Sequence, residues 1–119
     1  MDSADFQKRT KKLGLLVIEL VELLPQTKAA SVIAGQILRC SLSVGANYRA
    51  ACRAKSDRDF IHKMKIVEEE TDETMYWLEI IQESGLLLPD QLKEAGRETK
   101  EILAMIVASI NTKLRNLKS

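Results

Sequence analysis

The sequence is poor in the residue types that many fold classes and reactive sites require. Its 119 residues include five glycines and two prolines, too few for an all-β chain that must turn about every ten residues. One histidine and two cysteines argue against a multi-ligand metal site and a disulfide framework. Hydrophobic residues nevertheless make up 45% of the chain, enough for the core of a single domain that we expect to span residues 1–119.

No segment predicts an exported or membrane-bound protein. The first five residues include two aspartates and no basic residue, unlike the start of a signal peptide. The most apolar run, residues 13–24, is too short to span a bilayer and contains Glu19 and Glu22. On one helix, Cys40 and Cys52 would lie about 18 Å apart, beyond the reach of a disulfide. We therefore expect a cytoplasmic protein that does not contact a membrane.

Hydrophobic residues recur at spacings of three and four along four segments, which predicts four α-helices. The first covers about residues 5–24 and the second about residues 30–52. Ser56 is the predicted N-cap of the third helix, which ends at Gly85, and the fourth begins at Pro89. Long helices with short connections predict an all-α fold, an antiparallel up-down four-helix bundle.

Each predicted helix has one hydrophobic stripe that should face the core. In the first helix it comprises Leu13, Leu16, Val17, Leu20, Leu23 and Leu24. In the second it passes through Cys40 and Val44 to Asn47 or Tyr48. In the third it comprises Phe60, Met64, Val67, Thr71, Thr74 or Met75, Leu78 and Ile81.

Two segments contain more hydrophobic residues than one stripe needs. The surplus residues lie off the main stripes of the first and fourth helices: Leu15, Ile18 and Val21, and Leu103, Met105 and Val107. Because a small bundle buries one broad face per helix, we expect this surplus to contact another protein surface, first of all a second copy of the chain. The alternative is a set of scattered exposed aliphatic side chains, which is common in folded proteins.

The formal net charge of +1 conceals a basic segment. Residues 49–65 contain two acidic and six basic residues, the latter being Arg49, Arg53, Lys55, Arg58, Lys63 and Lys65. Clustered guanidinium and ammonium groups bind nucleic-acid phosphates and release their counterions, so these six residues form the candidate nucleic-acid-binding site. No aromatic platform for stacking single strands accompanies them. The alternative is an ordinary solvated face.

An acidic run follows at residues 68–73, where carboxylates stand one turn apart on the same helix. Such like-charge pairs destabilise a helix by roughly 0.2–0.5 kcal/mol each. We therefore expect basic groups from a neighbouring helix or subunit to face this run. The candidate neighbour is the N-terminal cluster of Lys8, Arg9, Lys11 and Lys12.

Enzymatic interpretations find little support in the residues. His62 is the sole histidine, and its spacing from Asp59 only weakly matches the Glu-x-x-His motif of di-metal bundles. Cys40 lies on the core stripe, and no histidine is placed to act as its base. We predict no catalytic residue, no metal site and no cofactor. A metal-dependent enzyme is the minor alternative.

The central third of the chain resembles a known family. The residues that carry the likeness are Ser-Val-Gly-Ala-Asn-Tyr-Arg-Ala-Ala at 43–51, Ala-Lys-Ser at 54–56, Asp-Phe-Ile at 59–61, Lys-Ile-Val-Glu-Glu-Glu at 65–70, and the stretch from Asp-Glu to Tyr-Trp-Leu-Glu at 72–79. They resemble the four-helix-bundle proteins encoded in intervening sequences of bacterial 23S ribosomal RNA genes. Such proteins are similar to the accessory protein of diversity-generating retroelements.

The resemblance implies a non-enzymatic homo-oligomer, with a pentamer as the expected form, that binds RNA or DNA. By position, residues 49–65 are where the phosphate contacts are expected. The resemblance also implies a protein partner such as a reverse transcriptase. The alternative function is that of a protein–protein scaffold or accessory subunit with no direct nucleic-acid contact.

Overall fold

The computed structural model describes residues 2–118, and every regular element in that range is an α-helix. The helices are α1 (Ser3–Val21), α2 (Lys28–Ala51), α3 (Asp57–Glu83) and α4 (Pro89–Lys118). Contacts join α1 to α2, α2 to α3, α3 to α4 and α1 to α4, in a bundle of 51 × 21 × 20 Å. The predicted antiparallel up-down four-helix bundle is confirmed. That a single domain spans residues 1–119 stays a prediction, and Met1 and Ser119 lie outside the described residues.

Short polar side chains start three of the helices. Asp2, Thr27 and Ser56 each accept a hydrogen bond from a backbone N–H two or three residues on, at 2.9, 3.2 and 3.1 Å. These bonds satisfy N–H groups that have no partner within the helix. Gly85 follows α3 with φ of +75°, the left-handed conformation that commonly terminates a helix. The predicted ends of α3 are therefore confirmed.

The first helix is shorter at its C-terminal end than predicted. It ends at Val21, and the N–H groups of Leu23 and Leu24 bond to carbonyls three residues back, at 3.0 and 3.1 Å. A proline disfavours helical geometry in the residue before it, so Pro25 tightens the chain into a turn. As a result Leu23, predicted to face the core, is 54% exposed.

The core is built from the predicted stripes with one change in α3, and it decides two positions that the pattern left open. Tyr48 rather than Asn47 is buried in α2, where its ring meets the ring of Phe6 edge to face at 4.7 Å between centroids. Ile61 rather than Phe60 is the first buried residue of α3. Phe60 is half-buried, and the ammonium group of Lys113 lies 5.1 Å from its ring centroid, a cation–π distance. Thr74, not Met75, continues that stripe.

The surplus hydrophobic residues of the first and fourth helices differ in their exposure to solvent. Leu15 is 55% exposed, and Ile18 is also exposed. Val21 and Met105 instead pack against the edge of the core, so their apolar surface is largely used within the protomer.

By length and composition, α2 is the one helix among residues 2–118 that could cross a membrane, with a mean hydropathy of 1.3 over 18 residues. Core helices pass the same test. Ile37, Cys40 and Val44 of α2 are fully buried, and the helix packs between α1 and α3.

One ion-pair network joins the first helix to the last. The Arg9 guanidinium donates to both carboxylate oxygens of Glu98, at 2.9 and 3.2 Å, and also to Glu101 and to the Sδ of Met105. Glu98 is only 7% exposed. The hydrogen bonds from Arg9 hold the pKa of the Glu98 carboxyl below its usual value, against the opposing effect of burial. The helices α1 and α4 contact each other least of the four neighbouring pairs, so this network fastens the weakest side of the bundle.

The acidic run of α3 is neutralised by a different helix from the one expected. Arg39 of α2 pairs with Glu70 at 3.2 Å and with Glu73 at 2.6 Å. Arg39, followed by the indole N–H of Trp77, lowers the pKa of the Glu73 carboxyl. The expectation of a basic neighbour holds for these two carboxylates. Within the protomer that neighbour is α2 and not the N-terminal cluster, whose Arg9 pairs with α4; a contact of that cluster with the acidic run of another subunit stays a prediction.

The close approach of α1 and α2 yields a first prediction. A Cβ at Gly45 would lie 3.4 Å from backbone atoms of Thr10 and Lys11, whereas a Cβ at Gly35 would meet no described atom within 4 Å. We expect Gly45→Val to lower the free energy of unfolding by about 1–3 kcal/mol through overpacking. Gly35→Val on the same helix should change it by less than about 0.5 kcal/mol. Urea unfolding measures both, and equal effects would contradict the packing argument.

Acid titration of Glu98 gives a second prediction. Because its folded pKa is below the unfolded value of about 4.3, its stabilising effect is present above that pH and is lost as the pH falls through the folded pKa. We expect Glu98→Gln to lower stability at pH 7 by about 1.5–3 kcal/mol and to flatten the fall in melting temperature on acidification. Glu94→Gln, at an exposed position one turn earlier, is the control. Parallel pH profiles for the wild type and Glu98→Gln would refute the assignment.

Candidate nucleic-acid interface

Four helix ends meet at one end of the bundle: the starts of α1 and α3 and the ends of α2 and α4. Phe6 contacts Tyr48 there, and the ammonium group of Lys113 lies 3.3 Å from the Asp57 carboxylate. We call residues 2–9, 49–65 and 113–118 the basic end. They include eleven of the eighteen basic residues of the chain and four of its seventeen acidic residues.

The structure brings all six predicted phosphate-binding residues to this end. Arg49 lies in the last turn of α2, Arg53 and Lys55 lie in the connection to α3, and the rest lie in the first turns of α3. Arg58 and Lys65 are two turns apart and so share one face of that helix. All six side chains are exposed except that of Lys63, which is half-buried.

Only one of the six is held in an ion pair within residues 2–118. Lys63 pairs with Asp59 at 2.6 Å, and Asp59 also accepts the backbone N–H of Lys55 at 3.0 Å. Lys63 and then this N–H lower the pKa of the Asp59 carboxyl. The other five form no ion pair in that range and are exposed to solvent: Arg49, Arg53, Lys55, Arg58 and Lys65.

A groove of about 720 Å³ opens at the basic end between the start of α1 and the end of α4. Its lining includes Tyr48, Cys52, Phe60 and Lys113. Burial, followed by the neighbouring Cys52, raises the pKa of the Tyr48 hydroxyl, so the ring stays neutral. Because Tyr48 is buried against another ring and Phe60 lies beneath Lys113, this groove presents charge but no open aromatic face.

The candidate metal and thiol residues do not cluster. Among residues 2–118, no group of three or more His, Cys, Asp or Glu side chains could hold a metal ion. His62 is exposed, and its neighbour Asp59 is occupied by Lys63. Both cysteines are free, Cys40 in the core and Cys52 at the surface. Burial raises the pKa of the Cys40 thiol, which disfavours its reactive thiolate form.

Helix α4 contributes basic residues to the basic end that the sequence pattern did not predict. Lys113, Arg115 and Lys118 reach it from the end of the chain. The available signal was three basic residues without an acidic one in the last turns of a helix. These three residues join the basic end only because the antiparallel bundle brings the end of α4 beside the start of α3.

The chain matches the profile of the 23S rRNA-intervening sequence proteins over residues 3–108. It belongs to this family. The match includes the whole segment 49–65, and therefore all six predicted phosphate-binding residues, but stops short of the basic residues 113–118.

The fold of this 23S rRNA-intervening sequence family member is similar to a solved structure. That structure is of a protein of unknown function from the S23 ribosomal protein family of Bacteroides thetaiotaomicron, with 30% sequence identity and a TM-score of 0.82. The likeness covers 88% of this chain and 97% of that one. A comparison with proteins of curated function finds no match. The predicted family is thus confirmed, and neither likeness indicates an enzyme family.

Proposed function

We propose that this protein is a non-enzymatic homo-oligomer that binds RNA or DNA duplexes through its basic end. The observation that carries the proposal is a group of five exposed cations at one end of the bundle that form no ion pair within residues 2–118. Pairs on the protein surface add little to stability, so leaving these charges unpaired sacrifices little in the fold. It leaves them available for an external polyanion.

The chemistry of the basic end favours the phosphate backbone over the bases. Lys and Arg side chains neutralise phosphates and release condensed counterions, which yields affinity with little dependence on sequence. The rings of Tyr48 and Phe60 are covered, so a single strand gains no stacking contribution from them. A duplex, whose phosphates are closely spaced and whose bases are already stacked, is therefore the better match.

Exposed hydrophobic side chains support self-association. Five of the eight large exposed hydrophobic residues lie between α1 and the middle of α2: Leu15, Ile18, Leu23, Val32 and Leu42. Of these, Leu15 and Leu42 line one groove, and exposed apolar residues concentrated on two neighbouring helices favour a protein interface. The family resemblance makes a pentamer the expected form, and the exposed thiol of Cys52 suits a reducing cytoplasm.

The same apolar surface supports the second candidate function, a scaffold or accessory subunit for another protein, for example a reverse transcriptase. In that case the partner would bind through hydrophobic contact, and the basic end would have no role in affinity.

A third prediction tests binding directly. Fluorescence anisotropy with labelled RNA and DNA duplexes should show affinity that falls with salt, with a slope of log K against log salt of about −0.9 per phosphate contacted. Arg53→Glu combined with Arg58→Glu should weaken binding and lower the magnitude of the slope by about 2. Lys93→Glu combined with Lys100→Glu makes the same charge change at exposed positions of α4 outside the basic end and should leave the slope unchanged.

Two results would overturn the nucleic-acid proposal. One is the absence of binding at low salt, and the other is equal binding by the wild type and the Arg53→Glu, Arg58→Glu variant. Recovery of a single protein in a pull-down after nuclease treatment, together with either result, would establish the scaffold function instead.

A fourth prediction concerns assembly. Light scattering on the purified protein should give a mass several times the 13.4 kDa of one chain, because the exposed apolar surface is unfavourable in water. Five chains would match the family resemblance. A monomer at micromolar concentration would refute the homo-oligomer without bearing on nucleic-acid affinity.

A further inference from the structure

Two outward-facing grooves lie on opposite sides of the bundle. One runs between α1 and α2 and encloses about 590 Å³. The other runs between α3 and α4 and encloses about 350 Å³. The helix contacts follow the cycle α1–α2–α3–α4, so these grooves face away from each other.

The α1/α2 groove combines apolar surface with positive charge. Leu15 and Leu42 line it and are 55% and 46% exposed. Gly14 also lines the groove but is buried beneath the side chain of Leu42. Lys8, Lys11 and Arg49 also line it, and within residues 2–118 none of these three cations has an ion-pair partner.

The α3/α4 groove combines apolar surface with negative charge. Leu103 and Val107, both half-buried, form one wall, and Glu68, Glu69 and Asp72 form the other. In the described part of the chain these carboxylates have no ion-pair partner. Their neighbours on α3, in contrast, are paired with Arg39. The acidic run is therefore only half neutralised within the protomer.

The two grooves match each other in three respects. Each contains two aliphatic side chains, and the three cations of one correspond to the three carboxylates of the other. They also lie at overlapping heights along the bundle. In α2, Gly45 lies beside the backbone of Lys11, and both residues line the α1/α2 groove. The Sγ atom of Cys40, also in α2, lies 3.3 Å from the hydroxyl oxygen of Thr74, two residues after Asp72 of the α3/α4 groove. The middle of α2 therefore lies at the same height along the bundle as both grooves.

We propose that a second copy of this chain binds head to tail, with the α1/α2 groove of one protomer against the α3/α4 groove of the next. The inference rests on the homo-oligomer proposed above and assigns its contact surfaces. A contact between two different surfaces closes into a ring when the rotation between successive protomers closes without an axial shift, and otherwise gives an open filament. The overlapping heights of the two grooves keep the axial shift small, and the ring additionally requires that the rotation closes. The unpaired carboxylates then gain the basic neighbours that the sequence pattern called for.

The test uses two complementary variants. Variant A carries Lys11→Glu and Leu15→Asp, which disrupt the α1/α2 groove. Variant B carries Leu103→Asp and Val107→Asp, which disrupt the α3/α4 groove and repel the acidic substitutions of variant A. A control carries Leu88→Asp and Lys93→Glu, since Leu88 is 68% exposed and both residues lie outside the two grooves. Circular dichroism verifies the helical content of each variant.

Light scattering should give one protomer mass for each of A and B alone and the wild-type mass for the control. Mixing A with B should give a heterodimer of twice the protomer mass, because A retains its acidic groove and B its basic groove. Heterodimer formation also shows that both variants are folded.

Other outcomes would overturn the inference in distinguishable ways. A monomeric wild type would remove both the homo-oligomer and its interface. An oligomeric wild type with A or B still assembled at the wild-type mass would remove only the groove assignment. A dimer formed by one variant alone, with no gain on mixing, would show a two-fold contact between identical surfaces.

Discussion

The contact of Arg9 with Glu98 is the constraint on which the arrangement of the other parts depends. Three sides of the bundle are held by connections in the chain, but α1 and α4 are separated by the whole sequence and contact each other least. A buried carboxylate is unfavourable unless it is paired and hydrogen-bonded. Arg9 satisfies Glu98 with two bonds and reaches Glu101 and Met105 as well, so only one axial alignment of α1 and α4 satisfies the network. That alignment places the start of α1 at the basic end, beside the connection between α2 and α3.

The charged residues fall into those that the fold uses and those that it leaves unpaired. Arg9, Arg39, Lys63, Arg97 and Lys113 take part in ion pairs between or within helices. Within residues 2–118, segment 49–65 holds five cations without an ion pair and the α1/α2 groove is lined by three, while the carboxylates of the α3/α4 groove have no ion pair on another side. Random placement of solubilising charge would mix the two signs. The separation of positive from negative surface instead gives the protein an electrostatic field of defined direction. That field acts on charged partners over about a Debye length.

The sequence pattern predicted what depends on neighbours along the chain, and failed where contacts cross between distant segments. Helix periodicity and the caps at Ser56 and Gly85 are local, and they were predictable. The partner of Arg9, the burial of Glu98 and the choice of Tyr48 over Asn47 depend on how far one helix slides along another, which no local pattern encodes. The basic segment at residues 49–65 was visible because it is continuous. The contribution of Lys113 to the basic end was not visible in the sequence, because Lys113 meets that segment only through the antiparallel fold.

The type of contact between protomers decides whether the basic ends act together. A two-fold contact between identical faces can point two basic ends in opposite directions, whereas a head-to-tail ring places every basic end on the same rim. The like charges gathered there repel one another, so the rim opposes assembly while the grooves favour it. A polyanion that neutralises the rim removes that repulsion and therefore stabilises the ring. By thermodynamic reciprocity the proposed ring would then bind the polyanion more tightly than the separate protomers would. Under the two proposals, assembly and nucleic-acid binding would therefore strengthen each other through the cations of the rim.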